Sequence, residues 1–118
     1  MNLFDFLPEA CVARDPEPKE PDDVLRALAR LAKQSPALDG IEEETIYNGL
    51  REREALGTTG FGDGVAIPHC RLPGVDDFVV GILVVPDGAA FRALDGEPVR
   101  LFVFIVGPES NTKDHIRV

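Results

Sequence analysis

A histidine that follows Ile-Pro at the end of a glycine-spaced loop stands where chemistry can be done. The stretch reads Gly57-Thr58-Thr59-Gly60-Phe61-Gly62-Asp63-Gly64-Val65-Ala66-Ile67-Pro68-His69-Cys70. Glycines let backbone N–H groups approach an anion closely. Pro68 offers no ladder donor. The apolar run at 65–67 should therefore end as a strand there, with His69 just past it. An imidazole can serve as nucleophile, acid or base near neutral pH. Two residues give it a setting. Arg53, sixteen positions earlier, ends a predicted helix, and His115, forty-six positions later, follows a strongly apolar strand. A guanidinium near such a loop suits an oxyanion, because it can pair two of its oxygens at once.

The run Arg53-Glu54-Ala55-Leu56-Gly57, continuing through the loop to Val65-Ala66-Ile67-Pro68-His69, resembles enzyme IIA domains of the fructose/mannitol type. These belong to the phosphoenolpyruvate-dependent sugar phosphotransferase system and include the nitrogen-regulatory enzyme IIA proteins. The resemblance extends over about Phe4 to Val118, and its Ile-Pro-His motif is far more specific than a glycine-rich loop alone. It implies that His69 is phosphorylated on Nε2, with Nδ1–H held by a hydrogen bond. It implies that Arg53 and His115 sit beside it. The implied fold is α/β, a mixed sheet with helices packed on both faces. The implied donor is the phosphocarrier protein of the system, and the acceptor or ligand is a IIB domain or a regulatory target.

Three functions follow from this. The chain could be a nitrogen-regulatory-type regulator whose phosphorylation state changes its partner. It could be a sugar-specific component that passes the phosphoryl group to a permease IIB component. It could be an adaptor that keeps the fold without the transfer. A permease component is often fused to further domains, which favours the regulator, while His69 and Arg53 speak against the adaptor. Family members continue with two or more helices where this chain stops at Val118. The expectation is a single, C-terminally short domain over 1–118, with one flank of its sheet uncovered and prone to pair as a homodimer.

Each residue also has a plainer role open to it. Arg53 could be a solvated cation at a helix end, and Arg51, pointing elsewhere on the helix, is the weaker anion partner. His115 could be an exposed histidine at a helix start. Thr58 and Thr59 could shape the loop, although Thr59 could also bond the histidine or a phosphate. Asp63 reads as turn chemistry facing water. His69 and Cys70 are adjacent on an extended chain and point apart, so they are poor co-ligands, and their spacing with His115 fits no common zinc pattern. We expect no metal and no cofactor. Cys70 reads as a small core residue.

The 118 residues carry a net charge of −9, which disfavours nucleic acid, since a phosphate backbone needs a basic face. Hydrophobic content of 44% is enough for a core. Cys11 and Cys70 make no disulfide framework, so free buried thiols are expected. No apolar run reaches membrane-spanning length, and the start Met1-Asn2-Leu3-Phe4 lacks the basic region of a signal peptide. A cytoplasmic protein without membrane insertion is expected.

The elements that must position the site follow from periodicity. The segment 1–8 could dock through Leu3, Phe4, Phe6 and Leu7, and 10–13 could form a short strand. A proline-broken connector at 15–21 leads to a helix capped by Asp22 or Asp23 and running to about Lys33. Its Val24, Leu25, Leu28, Leu31 and Ala32 fall on one face. A second helix is expected at about 42–54, with Ile46, Leu50 and Glu54 one turn apart. Strands are expected at 64–67, 78–85 and 99–106, the last two so continuously apolar that both faces should be buried. Leu94-Asp95-Gly96-Glu97 reads as a turn, and 111–118 as the opening of a helix.

Overall fold

The computed structural model describes residues 11–109. The expectations for 1–8, for 111–118 and for His115 lie outside the described residues. Within them the elements run β1 (Val12–Arg14), α1 (Pro21–Ala32), α2 (Glu43–Ala55), β2 (Gly60–Gly62), β3 (Val65–Ala66), β4 (His69–Leu72), β5 (Val79–Ala89) and β6 (Val99–Pro108). The sheet is mixed, in the order β1-β5-β6-β3-β2, with β4 also on β6. β1 runs parallel to β5, β3 and β4 run parallel to β6, and the long pair β5 and β6 is antiparallel.

α1 begins one residue before the expected caps. Pro21 opens it, as suits a residue with fixed φ and no N–H. Asp23 sits in the first turn and accepts the N–H groups of Lys19 (3.2 Å) and Glu20 (3.1 Å). Leu25, Leu28 and Ala32 are buried along its inner face, and α2 buries Ile46, Tyr47 and Leu50. The two helices pack on each other. Outside the apolar contact, the Arg26 guanidinium stacks 3.5 Å above the Tyr47 ring and meets the Glu44 carboxylate at 2.6 Å. The Tyr47 hydroxyl donates to Asp22.

The α/β arrangement expected, a mixed sheet with helices packed on it, is the one observed, and among the described residues α1 and α2 lie on one face of that sheet. The burial pattern shows it. Leu83 and Val85 in β5, with Phe102, Phe104 and Val106 in β6, are buried under α1 and α2. Ile82, Val84, Leu101, Val103 and Ile105 point the other way and are half-buried. The continuous apolar runs of β5 and β6 therefore do not mark strands buried equally on both faces. At Gly81 the approach is so close that an added Cβ would lie 2.3 Å from the Phe104 ring.

Two strands were not anticipated. β2 pairs with β3 in a hairpin whose turn, Asp63-Gly64, has positive φ at both positions, 56° and 80°. That is the type I′ geometry that Asp-Gly favours. The exposed Asp63 is thus a turn residue, as expected. The second strand, β4, shows that Pro68 interrupts pairing without ending it, because β6 continues far enough to take up His69–Leu72.

Candidate functional site

His69 is the first residue of β4, at the sheet margin beside α2. It is paired with Ile105, while Cys70 is paired with Val106. The period of two along a strand therefore turns Cys70 toward the helices and His69 away from them. Burial agrees, with Cys70 buried and His69 half-buried.

The ring of His69 is held by its own chain. Nδ1 lies 2.8 Å from the carbonyl oxygen of Ile67. A carbonyl can only accept, so Nδ1 carries the proton. In the neutral ring Nε2 then holds the lone pair. The hydrogen bond implied by the resemblance thus has its acceptor.

A cleft of about 650 Å³ opens between α2 and β4. His69 and Arg53 both line it, together with Asn48, Glu52, Arg71 and Glu109. The expected pair is therefore brought to one place. Arg53 comes from the last turn of α2, and its Nη1 also donates to the Gly57 carbonyl at 2.9 Å. The plainer role of a helix-end cation is thus met by the same side chain. Arg51 turns toward the Tyr47 ring, 5.9 Å from its centre, and is not among the residues lining the cleft.

Thr59 is placed differently from the phosphate contact expected of it. It is buried and does not line the cleft. Its amide and its hydroxyl both donate to the Glu54 carboxylate, at 2.8 and 2.7 Å. Thr58 also serves the loop, its hydroxyl donating to the Phe91 carbonyl at 3.3 Å and accepting from the Gly60 amide at 3.0 Å.

Two residues of this region were given no role at the site by the sequence reading. Arg71 lies two positions after His69 on the same strand, so alternation alone would have put both on one side of β4. Glu54 lies one turn beyond Leu50 on the buried face of α2, where a carboxylate needs partners.

Burial pushes the Cys70 thiol up from 9.0 to about 12, so it stays protonated beside the site. Cys11 is buried as well, and its thiol is raised for the same reason. Among the described residues no group of three or more His, Cys, Asp or Glu is arranged to hold a metal. No helix among them is long and apolar enough to cross a membrane.

The family model of the phosphoenolpyruvate-dependent sugar phosphotransferase system, EIIA 2, matches residues 5–118. The chain belongs to this EIIA 2 family. Proteins of the EIIA 2 family take part in phosphoryl transfer within that system. A nitrogen regulatory protein of Pseudomonas aeruginosa is 42% identical over 96 residues, covering 80% of this chain and 60% of that protein. The chain thus spans about 60% of the length of that relative. A fructose-specific EIIA component of Haloferax volcanii is 27% identical over 117 residues, 99% of this chain and 75% of that one. Among solved EIIA structures, the nitrogen regulatory protein IIA-Ntr from Neisseria meningitidis superposes with a TM-score of 0.82 at 30% identity, covering 96% and 75% of the two chains. Mannitol enzyme IIA of Escherichia coli, solved in complex with phosphorylated enzyme IIB, shares the fold at a TM-score of 0.66 and 16% identity, covering 93% and 76%.

Proposed function

We propose that this EIIA-family chain accepts a phosphoryl group on Nε2 of His69 from a phosphohistidine of the system's phosphocarrier protein. Its phosphorylation state then changes which partner it binds, in the manner of a nitrogen-regulatory enzyme IIA. The observation that carries this reading is the bond between His69 Nδ1–H and the Ile67 carbonyl, beside a cleft that Arg53 also lines.

The step balances simply. The Nε2 lone pair forms a bond to phosphorus as the donor's P–N bond breaks, and that electron pair returns to the donor's imidazole. The donor ring leaves as neutral imidazole when its other nitrogen already carries a proton, and the phosphorylated His69 ring, still holding Nδ1–H, takes over the positive charge. The protein's contribution is then positioning and charge stabilisation. Arg53 is the group suited to the phosphoryl oxygens, and His115 is a further donor on this reading. Thr59 acts through the loop. The cytoplasm is the compartment where such a carrier would meet it.

A second reading is supported by the fructose-specific relative, whose match spans 99% of the chain. There the phosphoryl group would pass to a IIB component, the class of partner bound by the mannitol enzyme IIA of the same fold. The test is incubation with phosphoenolpyruvate, enzyme I and the phosphocarrier protein, read by intact mass. Gain of one phosphoryl group, lost in His69→Ala, is expected. No gain with an active donor system would overturn the transfer. Adding a IIB component then separates the two readings, since only the sugar-specific one discharges the phosphoprotein onto it.

A further inference from the structure

We infer that Glu54 is a positioning residue for His69, acting through Thr59 and Ile67 to set the tautomer of the imidazole. The inference rests on His69 being the phosphoryl acceptor only for its catalytic consequence, not for the tautomer itself.

The connection is continuous. Glu54 Oε2 accepts the Thr59 amide at 2.8 Å and Oε1 accepts the Thr59 hydroxyl at 2.7 Å. The carboxylate thus takes both donors of one residue, and bonds to an ionised acceptor are the stronger kind. The Thr59 carbonyl, on the other side of that fixed residue, accepts the Ile67 amide at 3.0 Å. The Ile67 carbonyl accepts Nδ1–H of His69 at 2.8 Å.

Each link sets the direction of the next. Ile67 lies just past β3 and is followed by Pro68, so the ladder does not hold its carbonyl. On the far side the Pro68 carbonyl is held by the Ile105 amide at 3.0 Å. Between these supports, the Thr59 bond anchors the Ala66–Ile67 peptide, leaving one soft rotation, ψ of Ile67, before the carbonyl that meets Nδ1. If the loop leaves α2, that anchor is lost, Ile67 can reorient and Nδ1 loses its acceptor. An imidazole without that acceptor favours the other tautomer, with the proton on Nε2 and no lone pair there for phosphorus.

The chain has two histidines, so ¹⁵N-histidine NMR resolves their ring nitrogens, with His69→Gln giving the assignment. At a pH where the ring is neutral, wild type is expected to show Nδ1–H at His69. Glu54→Ala should shift the population toward Nε2–H and slow phosphoryl transfer about ten- to a hundredfold, the scale of a misplaced reacting group. Glu54→Gln and Thr59→Val each keep part of the contact and should fall between. Thr59→Ser keeps both donors and should restore the wild-type tautomer, which a merely bulky loop residue would not do.

An unchanged tautomer in folded Glu54→Ala and Thr59→Val would overturn the inference. Loss of the folded spectrum in both would also overturn it, since the contact would then be structural only. The tautomer readout needs no phosphoryl donor. A wild type that is never phosphorylated, while Glu54→Ala still shifts the tautomer, would sink the transfer reading alone. Normal phosphorylation with an unmoved tautomer would sink this inference alone.

Discussion

Gly49 of α2 rests against Cys70 of β4: a Cβ on the glycine would lie 3.1 Å from the cysteine sulfur and 2.8 Å from Leu72 Cδ2. The helix and strand that carry Arg53 and His69 are therefore separated by a hydrogen atom where most helices would place a methyl group. Gly49→Ala should gain about 1 kcal/mol of helix propensity and lose a similar amount by crowding. Net stability should change little. Phosphoryl transfer should fall by about tenfold, because α2 must move away from β4 and small misplacements of reacting groups are expensive. Thermal melts and single-turnover transfer rates measured together check this. An unchanged rate would mean that Leu72 gives way instead of the helix.

His69→Ala should abolish phosphorylation and leave the fold in place. The side chain is half-buried and makes one bond to the backbone, so its loss costs about 1 kcal/mol. Intact mass and circular dichroism decide. Labelling that persists in this variant would assign the acceptor to another residue.

Arg53→Ala should slow transfer about ten- to a thousandfold, the range for removing one donor that stabilises developing charge. The same variant loses the bond to the Gly57 carbonyl and part of its helix-end stabilisation, about 0.5 kcal/mol. Arg53→Lys should keep the stability and recover only part of the rate, since an ammonium cannot make the paired contact. Rapid-quench kinetics on the three proteins is the measurement, and wild-type rates in Arg53→Ala would remove it from the site.

The order of helices and the main strands was legible because their apolar periods were long and clean, as in Val24, Leu25, Leu28 and Leu31. That His69 and Arg53 line one cleft was foreshadowed by motif and spacing. The β2 strand was not, because Gly60-Phe61-Gly62 is too short and glycine-rich to show alternation. β4 was hidden by Pro68, a residue that removes one donor but cannot prevent pairing from resuming beyond it. Thr59 was the hardest to place. Its role depends on Glu54, five residues away across a helix end, and a one-dimensional pattern does not show which way a hydroxyl turns once the chain leaves the helix.

Alkaline pH should weaken the fold through its thiols. Burial raises Cys70 from 9.0 to about 12, and an unfolded chain returns it to its ordinary range. A folded-state pKa above the unfolded one means stability that is complete below about pH 9 and lost as the pH climbs toward 12. Cys11 shifts in the same direction. Melting temperature should therefore decline above about pH 9, and Cys70→Ala should flatten part of that decline. At neutral pH, iodoacetamide should label Cys70 only after denaturant is added. Ready alkylation of the native protein would show that the thiol is reached by solvent.

β3 and β4 keep one register on β6: Ala66 faces Phe102 and His69 faces Ile105, so both strands advance three positions across the break. Ile67 and Pro68 thus act as a ruler whose length matters more than its markings. Exchanging either residue can be absorbed locally. Adding or removing one cannot, because a single-residue slip exchanges the two sides of a strand. It would carry the imidazole under α2 and put a neighbouring side chain at the cleft. Relatives that use this site should therefore vary in what occupies the break and not in how many residues it holds.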